Sequence, residues 1–209
     1  MSDTILYAIA DNVATITFNR PEVRNAFNDQ MADELQAALK NAERDEAVRC
    51  IVITGAGQGF CAGQDLAAIR DRSDEVSFRD HLKKTYNPIV SKLRSIEKPV
   101  VAAINGAAAG AGWGIALACD IRYASEAAKF RLAFIGIGLA PDSGTSYFLP
   151  RMVGLGKALE LAYTNDLVDA NTALSLGLVN KVVPADQLMP ATLEFAKKLA
   201  QGPTRGMGL

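Results

Sequence analysis

A layered α/β fold is predicted by three observations. Two apolar runs, "RCIVITG" and "KPVVAAING", end in glycine; helical patterns alternate with such runs; and no apolar segment reaches the roughly 18 residues that span a membrane. Buried strands that feed helices through glycine belong to sheets flanked by helices, where ligands sit beyond the carboxyl ends of the strands. Function is therefore expected at those Gly-rich exits.

The elements follow in order. "TILYAIADNVATITFNR" holds two β-prone runs around Asp11-Asn12, which predicts a hairpin with Val13, Thr15 and Thr17 alternating against Ala14, Ile16 and Phe18. "NDQMADELQAALKNAERD" sets Met31, Leu35, Ala38, Leu39 and Ala42 at helical spacing behind a cap candidate, so one face is buried. "RCIVITG" is a continuous apolar strand, and "KPVVAAING" repeats the pattern after a helical or irregular insertion from about Leu66 to Ser95. "AAAGAGWGIALA" is dense in small residues, and "IRYAS" after Cys119-Asp120 reads as a short strand. "SGTSYFLPRMV", "GKALELAYTN", "ANTALSLG" and "ADQLMPATLEFAKKLAQ" read as helices, with "LVNKVVP" a strand between the last two. The closing "QGPTRGMGL" is polar and Gly-rich and reads as a linker.

The 209 residues suffice for one main domain with a sizeable core. Lys plus Arg number 22 against 23 Asp plus Glu, a net charge of -1, so no overall field favours nucleic acid or an anionic membrane. Any anion must be held locally. The three cysteines, Cys50, Cys61 and Cys119, show no metal or disulfide spacing, which points to a reducing compartment and no metal site. The N-terminus lacks a basic, then apolar, leader pattern, and a cytoplasmic protein is expected.

Two exits carry chemistry, "GFCAGQDL" (Gly59 to Leu66) and "NGAAAGAGWG" (Asn105 to Gly114). Neither has phosphate-loop or dinucleotide spacing. Small side chains expose backbone N–H groups to a close ligand, and two such donors make an oxyanion hole; the alternative is tight helix-to-sheet packing, where Gly and Ala merely fit. A Ser-His-Asp triad is disfavoured, because His81 is the single histidine, on what reads as an exposed helix, and no GxSxG elbow occurs. Cys61 has no evident activator and reads as a small buried residue. The lone acid of "FIGIGLAPDSGTSYFLPR", Asp142, is either the cap of the helix that follows or a catalytic acid.

The sequence resembles the crotonase (enoyl-CoA hydratase/isomerase) superfamily through five collinear stretches: "ITFNRPEVRNAFN", "IVITGAGQGFCAGQDL", "KPVVAAINGAAAGAGWGIALACDIRYAS", "AKFRLAFIGIGLAPDSGTSYFLPRMVG" and "ALSLGLVNKVVP". The resemblance implies a crotonase-type ββα spiral core over residues 1–185, with the start of a C-terminal helical region at 186–209. Family members usually continue some tens of residues further, so a tail is expected to be missing. It also implies an acyl-CoA thioester whose oxygen sits between the amides of Gln64 and Ala111, where donors and helix dipole stabilise an enolate. Arg24, Ala26, Ala62, Gln64, Asp65 and Leu66 would hold the CoA part. No permanently bound cofactor is implied, since coenzyme A arrives with the substrate, and the expected assembly is a homotrimer or a dimer of trimers.

The departures from the family pattern point to the reaction. Hydratases of this family use two glutamates, and their positions here are Gly114 and Phe134. Neither transfers a proton. Adding water needs two carboxylates, so hydration is disfavoured unless a second acid, Asp65 or one from a neighbouring subunit, takes part. "PDSG" resembles the catalytic aspartate site of the family's isomerases, which turns the reading of Asp142 towards a general base. An apolar wall of Trp113, Phe134, Ile135 and Leu139 is expected to raise its pKa. Within the family the resemblance is to isomerases of 1,2-epoxyphenylacetyl-CoA and of 3-enoyl-CoA esters. The alternatives are an enoyl-CoA hydratase, a 4-chlorobenzoyl-CoA dehalogenase-like enzyme, whose water-activating histidine and active-site tryptophan are replaced here by Asn87 and Phe134, and a non-catalytic CoA-ester binder.

Overall fold

The computed structural model describes residues 3–70 and 77–208. The chain opens as the predicted hairpin, β1 (Ile5–Ala10) and β2 (Val13–Phe18), paired antiparallel. It turns on Asp11 and Asn12 at φ 51° and 62°, the left-handed pair that a two-residue hairpin with the sheet's own twist requires. Helix α1 (Asp29–Arg44) starts where the Asn28 side chain accepts from the Met31 N–H at 2.9 Å, and it buries Met31, Leu35 and Leu39 as the spacing predicts.

Next come β3 (Cys50–Gly55), β4 (Gly59–Cys61), α2 (Leu66–Arg70), α3 (Phe78–Lys84), α4 (Tyr86–Ser95), β5 (Val100–Ile104), β6 (Ala107–Ala109) and α5 (Ala111–Ala118). The chain continues through β7 (Ile121–Ser125), β8 (Lys129–Arg131), α6 (Thr145–Val153), α7 (Leu155–Thr164), β9 (Val168–Asp169), α8 (Ala170–Ser175), β10 (Lys181–Val183), α9 (Leu188–Ala200) and α10 (Thr204–Gly208). The insertion expected from Leu66 to Ser95 is thus helical in its described parts, with residues 71–76 outside them.

Six strands form one sheet in the order β1-β2-β3-β5-β7-β10, parallel from β2 onward. The two-residue period of its strands sorts side chains onto two cores. Ile51, Ile53, Ala102 and Ile104 face the larger core, shared with α1, α4 and α5; Cys50, Val52, Val101 and Ala103 face Leu188, Ala196 and Ala200 of α9. A second sheet, β4-β6-β8-β9, was not foreseen, because strands of two or three residues are too short to show a two-residue period.

The closing segment departs from the linker expectation. It forms α10, and Arg49 ties the turn before it down by donating to the carbonyls of Ala200 at 2.5 Å and Gly202 at 2.7 Å. Both acceptors are backbone carbonyls, which leave no pattern in the sequence, and composition alone misleads there.

Candidate active site

The two Gly-rich exits meet at the amino end of α5. Phe27 and Gln64 form a parallel bridge in which the Phe27 N–H donates to the Gly63 carbonyl at 2.7 Å and the Asp65 N–H donates to the Phe27 carbonyl at 2.9 Å. No peptide is cis among the described residues, and a trans peptide points its N–H opposite to its C=O. Since the Gly63 carbonyl is turned to Phe27, the Gln64 N–H is turned away from it, and Gln64 lines a cavity of about 410 Å³. The same reasoning applies to Ala111. The Gly110 carbonyl accepts from Gly114 at 3.0 Å along α5, so the Ala111 N–H points out of the helix end, and both Gly110 and Ala111 line that cavity.

Gly63 is what brings the two together. Its φ of +91° suits glycine, and a Cβ built on it falls 2.8 Å from the Ala109 carbonyl oxygen and 3.5 Å from the Ala111 nitrogen. A side chain there would wedge the loop off the helix.

Asp142 lines the same cavity. It is not a helix cap: the N-cap of α6 is Gly144, no side chain caps that end, and Asp142 contributes only its carbonyl, which accepts the Thr145 N–H at 2.8 Å. Its carboxylate instead accepts from the Ser143 hydroxyl at 2.7 Å. Burial holds the Asp142 pKa above the ordinary carboxylate value, with Ser143 and the charge of His81 opposing that rise. A base must be ionised, so kcat/KM is expected to fall as the pH drops through this raised value; a limb at the ordinary 3.8 would contradict the assignment.

The expected apolar wall is partly right. Phe134 and Leu139 line the cavity, joined by Ile137, whereas Ile135 is 51% exposed and does not line it. Trp113 does not line it either. It is buried in the core with its ring 5.5 Å from that of Phe130, because α5 is buried on every side and its periodicity cannot tell cavity from core. Asn87 is exposed on α4, while its neighbour Tyr86 lines the cavity, a difference of one helical position or roughly 100°.

The two hydratase positions are closed to acids in different ways. A Cβ on Gly114 would lie 2.5 Å from the Ser143 carbonyl and 2.8 Å from Thr145 Oγ1, and Phe134 supplies a hydrocarbon ring. Asp65 is engaged as well, paired with Arg20 at 3.0 Å and accepting from the Ala68 N–H at 3.3 Å.

The segments expected to hold CoA lie side by side: the Ala62 N–H donates to the Arg24 carbonyl at 2.9 Å, beside the Phe27–Gln64 bridge. Arg24 is exposed at φ 52°, Ala26 is buried with its carbonyl accepting from Arg20 at 2.6 Å, and Ala62 and Leu66 line the cavity. Asn25, unremarked in the sequence, fastens this arrangement. Its fully buried amide donates to the carbonyls of Ala56 at 3.0 Å and Gly59 at 2.7 Å. Asn tolerates the left-handed φ of 58° that it adopts, and that tolerance was the available signal.

His81 corrects the expectation of a solvated surface residue. Its side chain is 14% exposed, and its Nε2 lies 2.9 Å from Gln64 Oε1. Cys61 is buried as expected, its thiol pushed up to about 12 by desolvation, which rules it out as a thiolate nucleophile near neutral pH. Among the described residues, no group of three or more His, Cys, Asp or Glu side chains could hold a metal ion, and no helix is long and apolar enough to cross a membrane.

Known proteins share this arrangement of chain. A family profile described as enoyl-CoA hydratase/isomerase matches residues 8–207. The 1,2-epoxyphenylacetyl-CoA isomerase of Escherichia coli K12 is 42% identical over 214 residues, covering 100% of this chain and 80% of the relative. A 4-chlorobenzoyl coenzyme A dehalogenase of an Arthrobacter species is 40% identical, covering 95% and 73%. The crystal structure of an enoyl-CoA hydratase from Mycobacterium avium subsp. paratuberculosis K-10 superposes with a TM-score of 0.87 at 33% identity, covering 98% and 78%. With its crotonase-type α/β fold, the chain belongs to the enoyl-CoA hydratase/isomerase family.

Proposed function

We propose that this protein is an acyl-CoA isomerase in which the Gln64 and Ala111 amides receive a thioester oxygen and Asp142 carries the proton. The observation that carries the reading is that, among the described residues, a single carboxylate lines an apolar cavity that Gln64 and Ala111 also line. Two N–H donors and the end of a helix stabilise the negative charge that grows on the oxygen as the C2 proton leaves. Asp142 takes that proton, becomes a neutral acid, and returns it at C4, so the C3=C4 bond becomes C2=C3 with nothing added or lost. Burial favours the neutral intermediate state of the acid.

The cavity volume is of the size that holds a small acyl or aryl group. The substrates that fit are 3-enoyl-CoA esters and, by similarity to the E. coli isomerase, ring-1,2-epoxyphenylacetyl-CoA. Arg24 and the loop Ala62 to Leu66 would face the CoA portion, which comes and goes with substrate. Apolar side chains left exposed on α6, on α7 and just before β9, namely Tyr147, Leu155, Tyr163 and Leu167, support assembly into trimers. Three free, buried cysteines fit a reducing compartment such as the cytoplasm.

Similarity to the dehalogenase favours a second reading, in which Asp142 attacks the substrate as a nucleophile. The exposed position of Asn87 speaks against it, since no water-activating group then stands at the matching place. Product analysis by NMR decides between them. Linear 3-enoyl-CoA or the ring epoxide is expected to be isomerised with no solvent oxygen incorporated; conversion of 2-enoyl-CoA to 3-hydroxyacyl-CoA, or release of chloride from 4-chlorobenzoyl-CoA, would overturn the isomerase assignment.

A further inference from the structure

The Gln64 side chain is clamped at both ends. Its Nε2 donates to the Phe27 carbonyl at 2.9 Å, while its Oε1 lies 2.6 Å from the Tyr86 hydroxyl and 2.9 Å from His81 Nε2. A carbonyl accepts only, so the nitrogen end of the amide must face Phe27 and the oxygen end must face the other two. An oxygen acceptor pairs only with a donor, so His81 Nε2 carries a proton and the Tyr86 hydroxyl donates. Burial keeps the Tyr86 hydroxyl from ionising, which preserves it as a donor. The rings are packed to match: Tyr86 meets Phe27 edge-on at 5.8 Å and His81 edge-on at 6.0 Å.

The Phe27 backbone thus fixes the Gly63 carbonyl, and the clamp fixes the side chain one residue later. Together they limit rotation of the peptide that presents the Gln64 N–H. We propose that His81, seconded by Tyr86, is a positioning residue for the reaction: it holds the Gln64 side chain and through it aims the amide that meets the thioester oxygen. This rests on the isomerase reading above for its rate effect, though not for its effect on the thioester carbonyl. His81 comes from α3 and Tyr86 from the start of α4, so the clamp also ties the oxyanion loop to the helices that border the cavity.

The groups near His81 allow a competing explanation. Asp29 Oδ1 stands 3.9 Å from the His81 Nδ1, beyond hydrogen-bond length, and the charge of His81 acts on Asp142. His81 could then influence the rate through Asp142 alone. A double-mutant cycle separates the two. His81→Leu is expected to lower kcat about tenfold with KM little changed, and His81→Gln, which keeps an N–H donor, to restore most of it. In a Gln64→Ala background, which keeps the main-chain amide but has no Oε1, His81→Leu is expected to cause no further loss.

The direct readout is the infrared stretch of a saturated acyl-CoA carrying ¹³C at the thioester carbonyl, bound to the full chain. It is expected to shift to lower frequency on the wild type and to shift less on His81→Leu. This saturated ester needs no isomerisation, so a wild type that shifts the band but isomerises nothing would refute the isomerase reading and leave this inference to be judged on the band. An equal band on wild type and His81→Leu, or the same loss of kcat in both backgrounds, would overturn it, as would a wild-type band at the free-ester frequency. Tyr86→Phe, which removes one donor and keeps the ring, is expected to reproduce the smaller shift; a full wild-type shift there assigns the clamp to His81 alone and removes Tyr86 from the proposal.

Discussion

Asp142→Asn is expected to lower kcat by about 10²- to 10⁴-fold while acyl-CoA binding is retained, the range that positioned general acid–base groups contribute. Asn keeps the size of the side chain and can still accept from the Ser143 hydroxyl, which sits 2.7 Å from the acid. It cannot take a proton. Titration calorimetry with a saturated acyl-CoA, run beside the rate assay, distinguishes lost chemistry from lost binding, and unchanged turnover would remove Asp142 from the mechanism.

The same substitution is expected to stabilise the fold at neutral pH. The Asp142 pKa is raised in the folded chain, so the contribution of its neutral form is fully present below the ordinary value of 3.8 and is lost as the pH rises through the folded value. At pH 7 the folded chain therefore bears a buried charge that Asn does not. The unfolding midpoint of the variant should exceed that of the wild type at pH 7, with the difference vanishing below pH 3.8. A functional acid that costs stability is a common trade in active sites.

Gly63→Ala is expected to be the most damaging change outside the acid. The φ of +91° costs an alanine about 1–3 kcal/mol, and its Cβ would press on the Ala109 carbonyl at 2.8 Å and approach the Ala111 nitrogen at 3.5 Å. These atoms belong to the backbone, so relief requires the loop and the helix end to separate. Losing alignment of one oxyanion donor lowers kcat about 10²- to 10³-fold. Steady-state rates and denaturant unfolding, measured together, check both effects, and a wild-type kcat would show that the two amides need not stay close.

How much of this was legible in the sequence depended on the kind of signal. The hairpin at Asp11-Asn12 and the buried face of α1 were readable because each obeys a strict local period or turn rule. The placing of Gln64, Ala111 and Asp142 came from resemblance, and the backbone then brought all three to one cavity. Trp113 failed because α5 has no polar face to set its direction. Asn87 failed by a single helical step. The role of His81 was hidden for another reason: its contact with Gln64 spans 17 residues and two elements, and a one-histidine count says nothing about what a ring touches after folding.

The central claim is that amides and acid act together on one enolisable carbon, and it is tested most directly by exchange of the C2 hydrogens of a saturated acyl-CoA in D₂O, followed by NMR. Such an ester can neither isomerise nor add water, so only proton removal beside the thioester is read. The wild type is expected to wash deuterium into C2, and Asp142→Asn to abolish the exchange at saturating ester. No exchange on the wild type, or equal exchange on both proteins, would contradict the account.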